Sequence, residues 1–246
     1  YTTLCRSDLY TYCGKRKEKT PTILGHEIVG RIAAFGKNAP RVDERGKTLQ
    51  IGDRVSWAIY ASDPNSPLAK AGIPQKAADL FKYGHERVSR ESNLHGGLSQ
   101  YTILRKNTPI VKIDEQVKLK VAAIINCAVS TVAGSIRLAG NLERKKVLVN
   151  GAGMLGIVAC AMSKTLGAAQ VTVADVNPKR LKAAKNFGTS FGILAEDNLQ
   201  QSVHQKFGVD APFDVVLEYS GVTSALEQTL QLLAIGGTVV WVGSTY

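Results

Sequence analysis

Residues 146–156 read Lys-Val-Leu-Val-Asn-Gly-Ala-Gly-Met-Leu-Gly, an apolar run followed at once by the pattern Gly-x-Gly-x-x-Gly. The run predicts a buried strand, and the glycine pattern predicts a tight turn that opens a helix. In such a turn Gly151 allows the reversal, Gly153 lets the backbone approach a pyrophosphate, and Gly156 lets the helix pack closely on the strand. The unpaired N–H groups at the start of the helix favour phosphate. The predicted dinucleotide-binding residues of this turn are Gly151, Gly153, Met154, Leu155 and Gly156.

Asp175 ends the next predicted strand, about 20 residues beyond the turn. A carboxylate at this place accepts hydrogen bonds from both ribose hydroxyls of NAD and repels the extra phosphate of NADP. The sequence therefore favours NAD as the cofactor. Lys179 and Arg180 follow closely and would soften the discrimination against NADP, and Lys179 joins the predicted cofactor-binding residues. The alternative is a glycine turn in a sheet of the same kind that binds no nucleotide.

From about residue 146 onward, short β-branched runs alternate with helical patterns, which is typical of βαβ units on a parallel sheet. The predicted fold class of this part is therefore α/β, with a doubly wound parallel sheet. The predicted strands are 146–150, 170–175, 191–195, 213–218 and 238–243, and the predicted helices are 155–166, 178–187 and 224–233.

The first half of the chain has short strands separated by glycine and proline, and it reads as a loop-rich β domain. The predicted strands here are 28–34, 54–59 and 101–104. We place the boundary near the helical segment 117–139. The predicted domains are 1–125, a β-rich domain, and 126–246, a dinucleotide-binding domain.

Composition excludes several classes of protein. With 246 residues, of which 44% are hydrophobic and 21% charged, the chain resembles an average globular protein rather than a disordered or fibrous one. No apolar stretch approaches the ~18–20 residues that cross a bilayer, so we expect no membrane span. Four dispersed cysteines do not form the disulfide framework of a small secreted domain, and they favour a reducing, cytoplasmic setting.

The net charge of +11 is concentrated in the first half. Residues 1–125 contain 21 basic and 12 acidic residues, whereas residues 126–246 contain 10 and 8. This excess is compatible with a solvated lysine-rich surface or with an anionic substrate. Because no aromatic-interleaved basic patch or reader motif is present, we expect no nucleic-acid partner.

Three separated residues have the side chains of a catalytic zinc site. Cys5, His26 and Cys127 offer two thiolates and an imidazole, a set that leaves a fourth position of zinc open. Residue types alone do not decide the matter, because a buried cysteine is often an inert apolar residue and a lone histidine is often structural.

The order of the motifs resembles that of zinc-dependent medium-chain alcohol dehydrogenases, along essentially the whole chain. The motifs are Cys5-Arg-Ser7-Asp8, Gly25-His26-Glu27, Gly96-Gly-Leu-Ser-Gln-Tyr101, Cys127 and the Gly151–Gly156 turn. The resemblance implies a Rossmann NAD-binding domain and a GroES-like β-rich catalytic domain, and we expect both to be truncated here. It also implies that Cys5, His26 and Cys127 hold the catalytic zinc, with Asp8 and Glu27 as acidic groups beside them. Ser7 matches the catalytic hydroxyl that passes the substrate proton outward.

The implied activity is oxidation of an alcohol, or reduction of the matching aldehyde or ketone, by an NAD-dependent oxidoreductase. The implied partner is a small alcohol or aldehyde, which the basic first half would allow to be anionic, and the full-length form is expected to be a homo-oligomer. Residues 72–76 and 80–86, with the glycine turn, look most like the branch of the family associated with phosphonate catabolism. A zinc-free reductase of the same superfamily and a non-catalytic nucleotide-binding relative are the alternatives.

The sequence departs from the family pattern at two places. The cysteines that hold a structural zinc in many members correspond here to Asp63, Ser66, Ala69 and Ala77. We therefore expect one catalytic zinc and no structural zinc, and a more mobile lobe at 61–83 unless packing of Leu68, Ile73, Leu80 and Phe81 replaces the metal.

Tyr10 stands where many relatives have a histidine that ends the proton relay, so the relay would end in water. His85 is expected either to approach the site or to serve as a surface or capping residue. His95 and His204 are expected to be structural.

Overall fold

In the computed structural model, which describes residues 1–195 and 198–243, the chain divides into two units, 1–127 and 128–246. The first unit therefore contains Cys127 together with Cys5 and His26. The boundary predicted from sequence lies two residues earlier, at 125/126, and stays a prediction.

The first unit contains short strands and few helices. Its strands are β1 Thr2–Thr3, β2 Glu27–Ile28, β3 Gly30–Arg31, β4 Arg54–Trp57, β5 Tyr60–Ala61, β6 Phe81–Lys82 and β7 Ile110–Lys112. Its helices are α1 Arg6–Tyr12, α2 Pro67–Lys70 and α3 Leu119–Ala122, with a 3₁₀ turn at Pro74–Lys76. A π-helical turn, Ile125–Val129, leads out of this unit.

The second unit alternates helices and strands. Its strands are β8 Lys146–Asn150, β9 Gln170–Asp175, β10 Phe191–Leu194, β11 Phe213–Glu218 and β12 Leu233–Trp241. Its helices are α4 Ser130–Ala139, α5 Met154–Thr165, α6 Pro178–Ala184, α7 Leu199–Phe207 and α8 Thr223–Leu230, and a 3₁₀ turn at Lys185–Phe187 extends α6. None of the described helices combines the length and the apolar character needed to span a membrane.

The five strands of the second unit form one parallel sheet in the order β10-β9-β8-β11-β12. Strands β8, β9 and β11 are almost wholly buried, which explains why they are continuous apolar runs rather than alternating ones. The strand order reverses between β8 and β11. In sheets of this kind, ligands bind outside the carboxyl ends of the strands at such a switch point, which here is the edge that carries Gly151.

The predicted α/β fold of this unit is confirmed, and strands β8, β9 and β11 have the predicted bounds. The other bounds differ by one or more residues, and the largest differences lie near the end of the unit. The helix predicted to run to 233 ends at Leu230, and β12 begins at Leu233 instead of 238. Helix α7 was not predicted, although Asn198 caps its start by accepting a hydrogen bond from the N–H of Gln201.

The strand predicted at 101–104 is wrong, because this segment bonds within its own loop. Ser99 Oγ donates to the carbonyl of Tyr101, and the N–H of Ile103 donates to Leu94. Tyr101 and Ile103 are both more than 60% exposed, so the apolar residues that suggested a strand face solvent.

Three small antiparallel sheets make up the first unit, with the pairs β1–β2 and β5–β6 and the order β3-β4-β7. One buried cluster, which includes Ile28, Val55, Trp57 and Tyr83, packs between them. A second cluster places Val29 against α3. Ile28 ends β2 and Val29 follows it, so the loop that carries His26 lies at the edge of the core of this unit.

The lobe at 61–83 is closed by the pairing of β5 with β6 and by hydrogen bonds. The N–H of Asp63 donates to Asp79 Oδ2 at 2.7 Å, and Ser66 Oγ accepts from the N–H of Ala69 at the start of α2. Leu68 and Ile73, which we expected to replace the metal by packing, are 38% and 41% exposed. Phe81, also named in that expectation, does pack against the buried cluster of this unit, so packing and hydrogen bonds both hold the lobe.

Tyr83 anchors the end of the lobe in the core. Its ring is fully buried, its hydroxyl lies 2.6 Å from Thr108 Oγ1, and it accepts a hydrogen bond of 2.7 Å from the N–H of Arg105. We expect Tyr83→Phe to lower the free energy of unfolding by about 1–3 kcal/mol, because the N–H of Arg105 loses its acceptor and Thr108 Oγ1 keeps only its hydrogen bond to the carbonyl of Arg105. Urea unfolding checks this, with Tyr101→Phe, whose ring is 65% exposed, as the matched control. Equal midpoints for both variants would contradict the role given to the buried hydroxyl.

Candidate metal and dinucleotide sites

The three residues predicted to hold zinc converge in the first unit. Cys5 precedes α1, His26 precedes β2, and Cys127 lies in the π-helical turn. One donor atom from each lies within 4.8 Å of the others. A π-helical turn often marks a functional position, because its wider coil re-aims a side chain. Cys5 and Cys127, which are 122 positions apart in sequence, thus place their donor atoms close together.

Asp8 fixes the orientation of this cluster. Asp8 is buried. Its Oδ1 lies 3.0 Å from His26 Nδ1 and also accepts a hydrogen bond of 3.2 Å from the N–H of Gly25. Its Oδ2 accepts from the N–H of Cys5 at 3.1 Å. Since Nδ1 of His26 is engaged, Nε2 is the nitrogen free to coordinate a metal, and this carboxylate–histidine arrangement is common at zinc sites.

Asn126 positions the third donor. Its Nδ2 donates to the carbonyl of His26 at 2.7 Å, and its Oδ1 lies 3.4 Å from the N–H of Ile28. The side chain next to Cys127 is thereby bound to the backbone next to His26. The sequence pattern does not predict this role, because an asparagine alone gives no signal of its long-range partners.

The two thiols share one proton. The hydrogen bond from Cys127, with smaller contributions from His26 and Ser7, lowers the pKa of Cys5 to about 3, although burial opposes this. The same hydrogen bond and burial raise the pKa of Cys127 far above its usual range. Burial acts to lower the pKa of His26, but the hydrogen bonds with Asp8 and Cys5 outweigh it and raise that pKa to about 9.

The setting of Glu27 indicates whether a cation would fit beside Cys5, His26 and Cys127. Its side chain is fully buried, and neither carboxyl oxygen has a well-formed hydrogen bond within the described residues. Burial first, and the charge of Cys5 second, raise its pKa to about 7. Neither oxygen of this buried carboxyl group has a well-formed hydrogen bond in the described part of the chain, and the nearby His26 only partly offsets the combined effect of burial and of the Cys5 charge. A zinc ion supplies positive charge and prefers this sulfur and imidazole donor set, so the residues fit it.

His85 lies beside the cluster. Its ring centroid is 5.1 Å from that of His26, and its Nδ1 is 3.1 Å from Glu18 Oε1. The same oxygen of Glu18 lies 2.8 Å from Arg16 Nε. Of the two roles considered for His85, the structure therefore favours the approach to the site. Glu18 and Arg16 were not predicted, because they belong to a charged loop that gives no motif.

The other residues discussed from sequence lie in varied settings. Ser7 Oγ is 3.5 Å from His26 Nε2. Tyr10 is partly buried, with the Lys15 ammonium 5.8 Å from its ring centroid. His95 is buried without a hydrogen bond to either ring nitrogen within the described residues, and His204 is exposed beside Asp210. Ser7 is the one of these that lies against a predicted ligand.

The glycine turn of the second unit has the geometry that a pyrophosphate site requires. Gly151 has a φ of +98°, and a Cβ on Gly156 would lie 1.8 Å from the Gly151 carbonyl oxygen. A Cβ on Gly153 would meet no atom within 4 Å, so this stretch of backbone is open. Met154 and Leu155 are the first residues of α5, where backbone N–H groups lack partners within the helix.

Asp175 braces this turn. Its Oδ2 accepts a hydrogen bond of 2.7 Å from the N–H of Ala152, and its Oδ1 accepts from the N–H of Asn177 at 2.8 Å. Each oxygen retains a lone pair for a further donor. Arg180 Nη1 lies 3.7 Å from Oδ2, whereas the predicted Lys179 is exposed and forms no ion pair in the part of the chain described. Of the two cations, Arg180 is therefore the one beside Asp175.

A buried carboxylate that sequence reasoning missed lies at the same edge of the sheet. Glu218 ends β11, and its Oε1 accepts from Asn150 Nδ2 at 3.3 Å and from the N–H of Ser220 at 2.8 Å. The site of a Cβ on Gly151 lies 3.0 Å from the N–H nitrogen of Ser220. Glu218 therefore supports the back of the glycine turn.

Comparisons with known proteins agree with this arrangement. The family model described as "Alcohol dehydrogenase GroES-like domain" matches residues 1–115, and the one described as "Zinc-binding dehydrogenase" matches residues 155–246. An L-threonine 3-dehydrogenase of Vibrio cholerae is 30% identical over 98% of this chain and 67% of its own length. One from Idiomarina loihiensis is 29% identical with the same coverage.

Solved structures give the same result. An alcohol dehydrogenase from Thermotoga maritima superposes with a TM-score of 0.88 at 26% identity, covering 97% of this chain and 67% of its own. Galactitol-1-phosphate dehydrogenase from Escherichia coli superposes with a TM-score of 0.82 at 26% identity, covering 100% of this chain and 66% of its own.

The chain belongs to the zinc-dependent medium-chain alcohol dehydrogenases, a family of NAD-linked oxidoreductases, and it spans about two thirds of the length of these relatives. The predicted family and the predicted pairing of a GroES-like with a Rossmann-like domain are thereby confirmed. The narrower resemblance to the branch associated with phosphonate catabolism stays a prediction.

Two substitutions in the glycine turn are expected to differ in their effects on melting temperature and NADH affinity. We expect Gly156→Ala to lower both the melting temperature and the affinity for NADH, because its Cβ would collide with the Gly151 backbone. Gly153→Ala should weaken NADH binding with little change in melting temperature, since only an approaching phosphate would meet the new methyl group. Fluorescence titration and thermal unfolding measure the two effects. Gly134→Ala, in an open position of α4, is the control.

Asp175 gives a test of cofactor choice. Asp175→Ala should raise the affinity for NADPH relative to NADH about tenfold or more, because a negative charge is removed and Arg180 is left without its acidic neighbour. The ratio of the two dissociation constants is the measurement, with Asp210→Ala, an exposed carboxylate beside His204, as the control. An unchanged ratio would mean that Asp175 does not face the ribose.

Proposed function

We propose that this protein oxidises an alcohol with NAD, or reduces the matching aldehyde or ketone, using one zinc ion held by Cys5, His26 and Cys127. The observation that carries the proposal is the convergence of the three donor atoms within 4.8 Å. The orphaned carboxyl group of Glu27 beside them supports it, because a cation would offset that buried charge.

A zinc ion bound here would supply a Lewis acid that polarises the substrate oxygen and lowers the pKa of its hydroxyl group. The protein's own part is to hold the donors and to move a proton. Asp8 keeps His26 Nε2 directed at the site through its bond with Nδ1. Ser7 Oγ, 3.5 Å from that Nε2, receives the proton of the substrate hydroxyl and releases its own to water.

NAD would accept the hydride, and the second unit would bind it. The open backbone at Gly153 and the start of α5 would receive the pyrophosphate, and Asp175 would accept the ribose hydroxyls. Asp175 accepts a hydrogen bond from the N–H of Ala152 within the turn, and Glu218 accepts one from Asn150 Nδ2 directly before it. The site is thus fixed before the cofactor arrives, which lowers the entropic cost of binding.

The substrate is proposed to be a small alcohol that carries an anionic group. The names of two relatives, L-threonine 3-dehydrogenase and galactitol-1-phosphate dehydrogenase, specify alcohols with a carboxylate or a phosphate. The excess of basic over acidic residues in 1–125 would favour such a substrate. An oligomer of the full-length protein and a cytoplasmic setting are proposed with it.

The first experiment is the zinc content of the folded chain, purified without added metal. We expect about one zinc per chain in the wild type, near zero in Cys127→Ala, and about one in Cys13→Ala, whose thiol is exposed. Cys127→Ala should also lose alcohol turnover while its affinity for NADH stays near normal. Elemental analysis, an alcohol screen and fluorescence titration give the three readouts.

Other results would point elsewhere. About two zinc ions per chain would mean that the lobe at 61–83 binds metal despite its missing cysteines. Near-zero zinc in a wild type that binds NADH would favour a zinc-free reductase. Full turnover in Cys127→Ala would defeat the zinc assignment.

A further inference from the structure

The ring of His85 lies directly against the ring of His26, and it has no part in the proton transfer or the hydride transfer described above. The two ring centroids are 5.1 Å apart, and the ring planes are tilted by 37°. This separation lies within the range of about 4.5–7 Å in which paired aromatic rings attract one another. Both histidines are buried in the first unit, so the contact is an interior one.

The contact with Asp8 restrains the imidazole of His26 only in part. Oδ1 of Asp8 lies 3.0 Å from Nδ1 and holds the ring at that one atom. The torsion that turns a histidine ring about its Cβ–Cγ bond is broad, and a hydrogen bond tolerates some misalignment. A turn of the ring would move Nε2, the nitrogen that is free to coordinate a metal. A second group packed against the ring restrains that turn from another direction.

His85 is itself held firmly enough to act as such a group. Its Nδ1 lies 3.1 Å from Oε1 of Glu18, and the same oxygen lies 2.8 Å from Nε of Arg16. Its backbone is also fixed, because a Cβ on Gly84 would lie 2.8 Å from the carbonyl oxygen of Gly25. The side chain is thus held at Nδ1 and the chain is held one residue earlier. His85 therefore offers His26 a fixed surface.

We propose that His85 is a positioning residue of the metal site, whose ring, held by Glu18, fixes the plane of the His26 imidazole. This inference rests on the proposed function, in which Nε2 of His26 holds zinc, and it adds a residue that sets the direction of that nitrogen. Asp8 acts on His26 through Nδ1, and His85 acts through contact of the two rings. Groups that orient a metal-binding histidine in this way change metal affinity by about 10–100-fold.

Two substitutions separate the ring contact from the hydrogen bond to Glu18. His85→Phe keeps a ring and loses the Nδ1 donor, whereas His85→Asn keeps an amide donor near the place of Nδ1 and loses the ring. We expect zinc to bind His85→Asn about tenfold or more weakly than the wild type, and to bind His85→Phe within about threefold of it. Competition with a chromophoric chelator measures these affinities on the full chain. His204→Asn, at an exposed histidine of the second unit, is the control and should bind zinc as the wild type does.

Cobalt(II) in place of zinc gives a second readout that does not need turnover. Its visible absorption bands depend on the geometry of the ligands around the ion. We expect His85→Asn to change the position or the intensity of these bands, because Nε2 of His26 would meet the ion at a less defined angle. His85→Phe and His204→Asn should keep the spectrum of the wild type.

Equal zinc affinities and cobalt spectra in the wild type and His85→Asn would overturn the inference and leave the proposed function intact. Equal losses in His85→Asn and His85→Phe would also overturn it, because the ring contact would then not be the cause. A wild type that binds neither metal would defeat the proposed function and this inference together. Thermal unfolding without metal shows whether each variant folds, and if His85→Phe does not, the comparison of His85→Asn with His204→Asn decides.

Discussion

The buried carboxylate of Asp8 is the contact on which the cluster of Cys5, His26 and Cys127 depends. It joins the N–H of Cys5, the N–H of Gly25 and the Nδ1 of His26, so that two segments of chain meet at one side chain. A buried carboxylate without such donors would be costly, and these bonds favour its charged form, which lowers the pKa of Asp8 although burial opposes this. Replacing Asp8 would therefore free the backbone of Cys5 and leave the imidazole of His26 without the contact that orients it.

The second unit uses the same physical device at its own loop. Asp175 accepts from the N–H groups of Ala152 and Asn177, and thereby joins the glycine turn to the end of β9. In both units a buried aspartate organises backbone N–H groups near the ligand position, and in both it leaves a functional atom free. At Asp8 this atom is His26 Nε2, and at Asp175 it is a carboxylate lone pair. Rigid loops of this kind suit binding sites, because little ordering remains to be done when the ligand arrives.

Local patterns predicted well the features that local forces decide. Strands β8, β9 and β11 are continuous apolar runs because both faces of the sheet are covered, and the glycine turn follows from backbone sterics. The pattern at 101–104 failed because apolar residues there face solvent and their N–H groups bond within a loop. The role of Asn126 could not be found from sequence, because its partner, the backbone carbonyl of His26, lies 100 residues away along the chain.

The lobe at 61–83, which lacks the family's cysteines, also affects the site at Cys5, His26 and Cys127, because the segment that closes the lobe leads directly to His85. Tyr83 fixes that segment through its hydroxyl, and at Gly84 a Cβ would lie 2.8 Å from the carbonyl oxygen of Gly25. Only a residue without a side chain allows this approach at a φ of +79°, so the backbone before His85 rests against the backbone before His26. The position of His85 beside the cluster thus depends on a buried tyrosine and a glycine contact.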